Sequence, residues 1–199
     1  MTRFGTLRPL RRVEGSTVEL TDEALVAACA TGDSAALGAL IDRFQAPVYR
    51  LVARLLGSDG TERDDLVQQT FVEVARSAAR FRQRSTVRVW IFGIAANLAR
   101  NQIRSLIRQR KLETHLAALP PLASMRADEQ LERYELVGKL RVALAALPHP
   151  LREALVLCEI EEMTAAEAAA VLGTRQGTVW RRVHEARQAL RAALGQEDA

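Results

Sequence analysis

Apolar residues recur along this chain at three- and four-residue intervals, the spacing of a helix face, and almost nowhere alternate as a strand requires. The first such run is short: Thr21 caps a helix over 23–30, with Asp22 and Glu23 in its opening turn and Thr31-Gly32 at its end. Asp33 or Ser34 then caps a longer helix on which Leu37, Leu40, Ile41, Phe44, Val48, Leu51, Val52 and Leu55 share one side, with Pro47 predicting a kink. After a break at Gly57-Ser58-Asp59-Gly60, a helix over 64–80 turns Leu66, Val67, Phe71, Val74 and Ala78 inward. A polar loop over 82–86 precedes a helix from Val87 past Arg108, whose buried stripe is expected to be Trp90, Ile91, Ile94, Leu98 and Ile103.

Periodicity fails between Glu113 and Gln130, where Pro120-Pro121 cannot continue a helix, so a linker is expected there. Leu136, Leu140, Leu144 and Leu147 resume the spacing and stop at Pro148-His149-Pro150, and Leu151, Leu155 and Cys158 begin the next helix. Two shorter segments surround Gly173, and a last helix reaches Leu194. The implied organisation is a basic tail over 1–19, expected to be disordered, a helical domain over 20–112, a flexible linker over 113–134 and a second helical domain over 135–195. The apolar supply is Ala, Leu and Val, with aromatics at 5%, which favours helix over sheet; the fold class expected is all-α, two small helical domains joined by a linker. No apolar run is long enough for a membrane span, the basic N-terminus lacks the apolar segment of a secretory signal, and Cys29 and Cys158 fit small hydrophobes in a reducing compartment. A cytoplasmic protein is expected.

Charge adds a division that periodicity does not. From Arg76 to Lys111 there are ten Arg/Lys and no acid, whereas Asp59, Glu62, Asp64, Asp65 and Glu73 just before face only Arg63. Such a switch within one domain reads either as two solvated faces or as two surfaces for different partners, one a polyanion.

The most specific local pattern lies near the C-terminus. Thr164 and Glu167 have capping-box spacing, the short helix they open stops at Gly173, and Thr174–Thr178 leads into an arginine-rich helix. A helix, a glycine turn and a basic second helix read as a helix-turn-helix, the other reading being a surface amphipathic helix with a solvated basic face. On the second helix Val179, Val183, Ala186 and Leu190 form the buried stripe, and Arg181, His184, Glu185 and Gln188 centre on the opposite side, with Trp180, Arg187 and Arg182 at its flanks. Five arginines and one acid lie between Arg175 and Arg191, and side chains of that length reach base edges and phosphates in a major groove.

Taken together, the motifs resemble the sigma-70 family. Leu147-Pro148, Leu151-Arg152-Glu153-Ala154-Leu155, Gly177-Thr178-Val179 and His184-Glu185-Ala186-Arg187 resemble its region 4. Asp64-Asp65-Leu66-Val67-Gln68-Gln69-Thr70-Phe71, then Phe81-Arg82 and Trp90-Ile91-Phe92-Gly93-Ile94-Ala95-Ala96-Asn97, resemble regions 2.2 to 2.4. Size and the lack of further domains point to the extracytoplasmic-function, or group IV, branch. The resemblance implies that Asp64, Asp65, Leu66, Gln68, Gln69 and Phe71 grip the clamp helices of the polymerase β′ subunit, with the β flap as a second contact on core RNA polymerase. It implies that Arg82, Arg84, Ser85, Thr86, Arg88, Asn97, Arg100, Asn101 and Arg104 hold the −10 element, partly as single strand. It implies that Arg175, Gly177, Thr178, Trp180, Arg181, Arg182, His184, Glu185 and Gln188 read duplex DNA at −35, and that an anti-sigma factor controls the protein. Linker acids Asp128, Glu129 and Glu132 either mimic nucleic-acid charge in polymerase channels or are simply solvated. Trp90 is open to two readings, a stacking platform or core packing.

Departures from the family pattern are informative. Gln83-Arg84 replaces a Gly-acid pair in the loop, Val87 stands where an aromatic is common, and Gln69 replaces a frequent Glu. Trp180, Arg181 and Glu185 occupy positions often filled by Arg/Lys, Ser and Arg; a carboxylate repels phosphate but accepts from cytosine N4, so a distinct −35 preference is expected. No catalytic residues, metal site or cofactor are expected, since His115, His149 and His184 lie in separate segments and no phosphate loop or nucleophile motif occurs. The competing reading is a helix-turn-helix regulator that binds duplex DNA without polymerase; an RNA-binding protein lacks the aromatics it would need outside the core.

Overall fold

Local signals place most helix ends. In the computed structural model, which describes residues 20–57, 62–113 and 133–195, Thr21 caps α1 (Asp22–Ala30) by accepting from the Ala24 amide at 3.3 Å. Asp33 caps α2 (Ser34–Leu56) by accepting from Ala35 and Ala36. α2 runs through Pro47, whose missing N–H leaves the Arg43 carbonyl without its usual donor one turn on. It ends at Gly57, where φ is +68° and the guanidinium of Arg152 fills the space a side chain would need. Next comes α3 (Glu62–Ser77), which tightens into a 3-10 turn (Ala78–Arg80) instead of staying α-helical to Arg80. α4 (Val87–Glu113) completes the N-terminal half.

The C-terminal half comprises α5 (Arg133–Ala146), α6 (His149–Leu155) and a π-helical turn (Val156–Ile160), then α7 (Ala165–Leu172) and α8 (Gln176–Ala193). Pro150 falls in the first turn of α6, where its lost N–H would have no intrahelical partner. Thr164 and Glu167 form the reciprocal capping box at α7, and Gly173 closes that helix with φ +61°. No strand occurs among the described residues, nor any helix long and apolar enough to cross a membrane. The tail over 1–19, residues 58–61 and the linker with Pro120-Pro121, His115, Asp128, Glu129 and Glu132 lie outside the described residues, as does the side chain of Leu136.

α2 is the centre of the N-terminal half: it packs on α1, α3 and α4 through Leu40, Val48, Leu51, Val52 and Leu55, all fully buried. The stripe of α4 is rotated from the sequence expectation. Val87, Val89, Ile91, Phe92, Ala95, Ala96 and Ala99 are the buried positions, Ile91 as expected, while Trp90, Ile94, Leu98 and Ile103 are half-buried. Leu140, expected inside, is 44% exposed. The two halves are not separate cores. α7 lies against α4, α5 and α6 touch α2, and one continuous apolar cluster runs from Leu25 to Ala186.

At Gly173 a methyl group would meet nothing within 4 Å, so substitution there reports backbone conformation alone. Gly173→Ala is expected to lower the unfolding free energy by about 1 kcal/mol in urea melts, with Gly173→Asn recovering part of it. Thr164→Ala should cost a similar amount, about 1 kcal/mol, by removing the capping box.

Candidate nucleic-acid interface

Three surfaces carry the residues singled out in the sequence. The first is the acidic side of α3. Asp64, Asp65, Gln68 and Gln69 are exposed along it, and Val72 continues the same surface at 48% exposure. Leu66 and Phe71 face the other way and are 5% exposed. They hold α3 on the core, so the contact surface is left to the carboxylates and amides. Thr70, beside them, is fully buried and turns its hydroxyl back onto the Leu66 carbonyl at 2.7 Å.

The second surface is the loop after the 3-10 turn and the helix it feeds. Arg82, Arg84 and Thr86 are exposed, and the Thr86 hydroxyl accepts from the Val89 amide at 3.3 Å, beginning α4. Gln83 has φ +52°. A non-glycine residue here keeps the left-handed bend that a glycine would adopt without strain. Phe81 packs on Trp90 with ring centroids 4.8 Å apart, so Trp90 braces the loop against the core with its remaining edge exposed. Farther along, Asn97, Asn101 and Arg104 are exposed, and Arg100 is half-buried with its Nη1 donating to Asn97 Oδ1 at 2.9 Å.

The third surface is α8. Val179, Val183 and Ala186 are buried; Arg175, Gly177, Trp180, Arg181, His184 and Gln188 are exposed; Thr178, Arg182 and Glu185 are half-buried. Arg181 donates to Glu185 one turn later at 3.3 Å, so the two unusual residues of this helix form one pair. Trp180 is 66% exposed, a large apolar side chain offered to solvent on the basic face. Arg187 is held at the flank by Glu159 at 2.7 Å.

Sequence reasoning missed the acids that join the halves. Glu161, 6% exposed, accepts from Arg54 at 2.7 Å and from Arg88 at 2.8 Å. Glu153, 4% exposed, accepts from Arg100 at 3.0 Å. Burial raises the Glu153 carboxyl above the usual range, with Arg100, Arg182 and Arg104 pulling it back. His149 sits 3.5 Å from the same carboxylate, but burial and then Arg152, Arg100 and Arg104 lower its pKa to about 4, so the imidazole is neutral near pH 7. Burial also raises the thiols of Cys29 and Cys158. No group of His, Cys, Asp and Glu that could hold a metal occurs among the described residues.

Comparison with known proteins finds both halves, in order. The profile of sigma-70 region 2 matches residues 40–110, and that of sigma-70 region 4 matches residues 138–190. The chain is 35% identical over 175 residues to the ECF RNA polymerase sigma factor SigC of Mycobacterium tuberculosis, covering 88% of this chain and 92% of that protein. It is 29% identical over 191 residues to the ECF RNA polymerase sigma-E factor of Escherichia coli, covering 86% and 93%. Among solved structures, CnrH in complex with the cytosolic domain of CnrY is similar at a TM-score of 0.61 and 30% identity, over 89% of this chain and 99% of that one. The sigma factor RpoE of Bartonella quintana, solved with the anti-sigma factor NepR, shares the fold at a TM-score of 0.62 and 22% identity, over 81% and 98%.

The His149 environment has a measurable consequence. Its folded pKa, about 4, is below the unfolded value of 6.5, so the unfolded chain binds the extra proton first and stability falls as pH drops from 6.5 toward 4. Glu153, shifted upward, contributes the opposite slope. The difference between wild type and His149→Gln therefore isolates the histidine: in denaturant melts the variant should lack a loss of about 2 kcal/mol across that window.

Proposed function

The chain belongs to the extracytoplasmic-function branch of the sigma-70 family, factors that direct promoter-specific transcription, and we propose a division of that task among its three surfaces. The acidic side of α3, with Asp64, Asp65, Gln68 and Gln69, grips the clamp helices of polymerase β′, while Leu66 and Phe71 only hold the helix in place. The loop and α4, through Arg82, Arg84, Ser85, Thr86, Arg88, Asn97, Arg100, Asn101 and Arg104, take the −10 element as it becomes single-stranded. The cationic side chains track phosphates, and the polar ones suit the edges of an unstacked base. The C-terminal half engages the β flap and presents α8 to the −35 duplex. Arg175, Gly177, Thr178 and Arg182 position the backbone, and Trp180, Arg181, His184, Glu185 and Gln188 face the groove. This is binding work in the cytoplasm, with no step of catalysis.

One observation carries the reading: an acidic helix face and two basic surfaces lie on one chain that matches regions 2 and 4 in order. A regulator acting on duplex DNA alone would leave the exposed acids of α3 without a use. Control by a protein partner of the anti-sigma type is part of the proposal; the similar CnrH was solved in complex with a protein partner, the cytosolic domain of CnrY.

Two measurements test the assignment. Purified protein added to core polymerase should produce promoter-specific initiation; no initiation would favour the stand-alone regulator. In the same system Asp65→Lys should weaken core binding at least about tenfold, a loss on the scale of one charge pair in an interface, with an unchanged melting curve. Selection from a randomised −35 region should return a different preference for Glu185→Arg than for wild type, chiefly at one or two base pairs where a carboxylate can accept from cytosine N4; an identical preference would remove Glu185 from base reading.

A further inference from the structure

Three arginines of α8 lie close to a carboxylate, and the acids differ in where they stand. Arg187 ends on Glu159 of the π-helical turn at 2.7 Å, at the flank of the helix. Arg182 stands near Glu153 of α6, whose carboxyl is raised by burial and pulled back by Arg100, Arg182 and Arg104. Arg181 instead ends on its own helix: its Nη1 donates to Glu185 Oε1, one turn later, at 3.3 Å. Both members of this pair meet solvent, with side chains 68% and 42% exposed, away from the stripe of Val179, Val183 and Ala186.

Helix stability does not account for the pair. An exposed ion pair contributes little, and arginine followed by glutamate is the weaker order, since a helix favours the acid on the N-terminal side. Both residues also stand more than a turn from either end of α8, beyond the reach of its end charges. Spacing is what the pair offers. Four residues advance about 6 Å along a helix, yet these two side chains converge to 3.3 Å at their tips. In a G·C pair, guanine O6 accepts from cytosine N4, so the two groups lie about 3 Å apart on the major-groove edge. Guanine presents O6 and N7 there as acceptors, and cytosine presents the second hydrogen of N4 as a donor. A guanidinium has donors enough for Glu185 and for both guanine acceptors, and with Oε1 on Arg181 the carboxylate keeps Oε2 for N4.

We infer that Arg181 and Glu185 act as one reading unit for a single G·C pair of the −35 element. Arg181 donates to guanine O6 and N7, and Glu185 accepts from N4 of the cytosine paired with it. Glu185 is also a positioning residue, because it holds the guanidinium in line with that base pair. An A·T pair fails on both sides, since adenine N6 would meet the guanidinium and thymine O4 the carboxylate. Reversing the pair to C·G sets donor against donor and acceptor against acceptor in the same way. A carboxylate here repels nearby phosphates, so the unit loses affinity for duplex in general and gains discrimination. The inference rests on the −35 role given to α8.

Full-length wild type, Arg181→Ala, Glu185→Ala and the double variant are each assembled with core RNA polymerase and offered promoter duplexes randomised across −35. Urea melts of the free chains check that folding is unchanged. Both single variants should lose preference for G·C at one and the same base pair, by about tenfold each. The double variant should lose no more than either single one, the mark of two residues acting as a unit. Glu185→Gln, which keeps an acceptor, should recover part of the preference. On a duplex of unrelated sequence, followed by fluorescence anisotropy, the free Glu185→Ala chain should bind more tightly than wild type, having lost a negative charge. Weaker binding there together with lost discrimination would mark Glu185 as merely structural and overturn the inference. Losses at two different base pairs, or losses that multiply in the double variant, would also overturn it while leaving the −35 role of α8 intact. Unchanged preference at every position in all variants would remove that role from this face, and the shared reading with it.

Discussion

A carboxylate taken out of water must be met by a cation, and this requirement orients the molecule. Glu153 and Glu161 are nearly buried, and the guanidiniums that answer them come from α2 and α4, across the chain's two halves. Leaving either acid without its partner would strand a buried charge, a loss on the order of 3–5 kcal/mol. The apolar seam beside them, which joins both halves in one cluster, is non-directional and has no comparable selectivity. Position along the seam is therefore set by ionic pairs, and closeness by small side chains.

The same division organises the outer surfaces. Acids gather on α3, where no ion pair between the halves uses them among the described residues; bases gather on the loop, on α4 and on α8. Only on α4 does the basic set turn inward, toward Glu161 and Glu153. A chain that must meet protein on one side and nucleic acid on another keeps those surfaces apart by placing them on different helices of a single core. Inward-facing Leu66 and Phe71 show how closely support and display are interleaved: they occupy the same two turns as Asp64, Asp65, Gln68 and Gln69.

Much of this was legible in the sequence, and the boundary is instructive. Helix starts at Thr21, Asp33 and Thr164 were readable because a short polar side chain before an apolar period has one local explanation. The facing of α8 was readable because Val179, Val183 and Ala186 recur without interruption. The stripe of α4 was not, since large residues such as Trp90 and Leu98 draw attention, while Ala95, Ala96 and Ala99 mark the true interior by being small. Leu140 misled for the related reason that spacing cannot say whether a neighbour is present to cover a side chain. Gln83 stood out as a substitution at a glycine position, and its left-handed backbone explains why glycine suits that site. Contacts between the halves were out of reach: Glu161 looks no different in sequence from Glu159 or Glu162, and its partners lie 107 and 73 positions away.

The double engagement of Arg88, on a carboxylate and a carbonyl of one residue, ties two distant positions together in heredity. A lineage that altered the side chain at 88 would at the same time alter how its two halves are joined. A change at 161 would loosen the same join from the opposite side and leave Arg54 without its acid as well. The three positions therefore cannot drift independently in this chain; a substitution at one favours a compensating change on the opposite half.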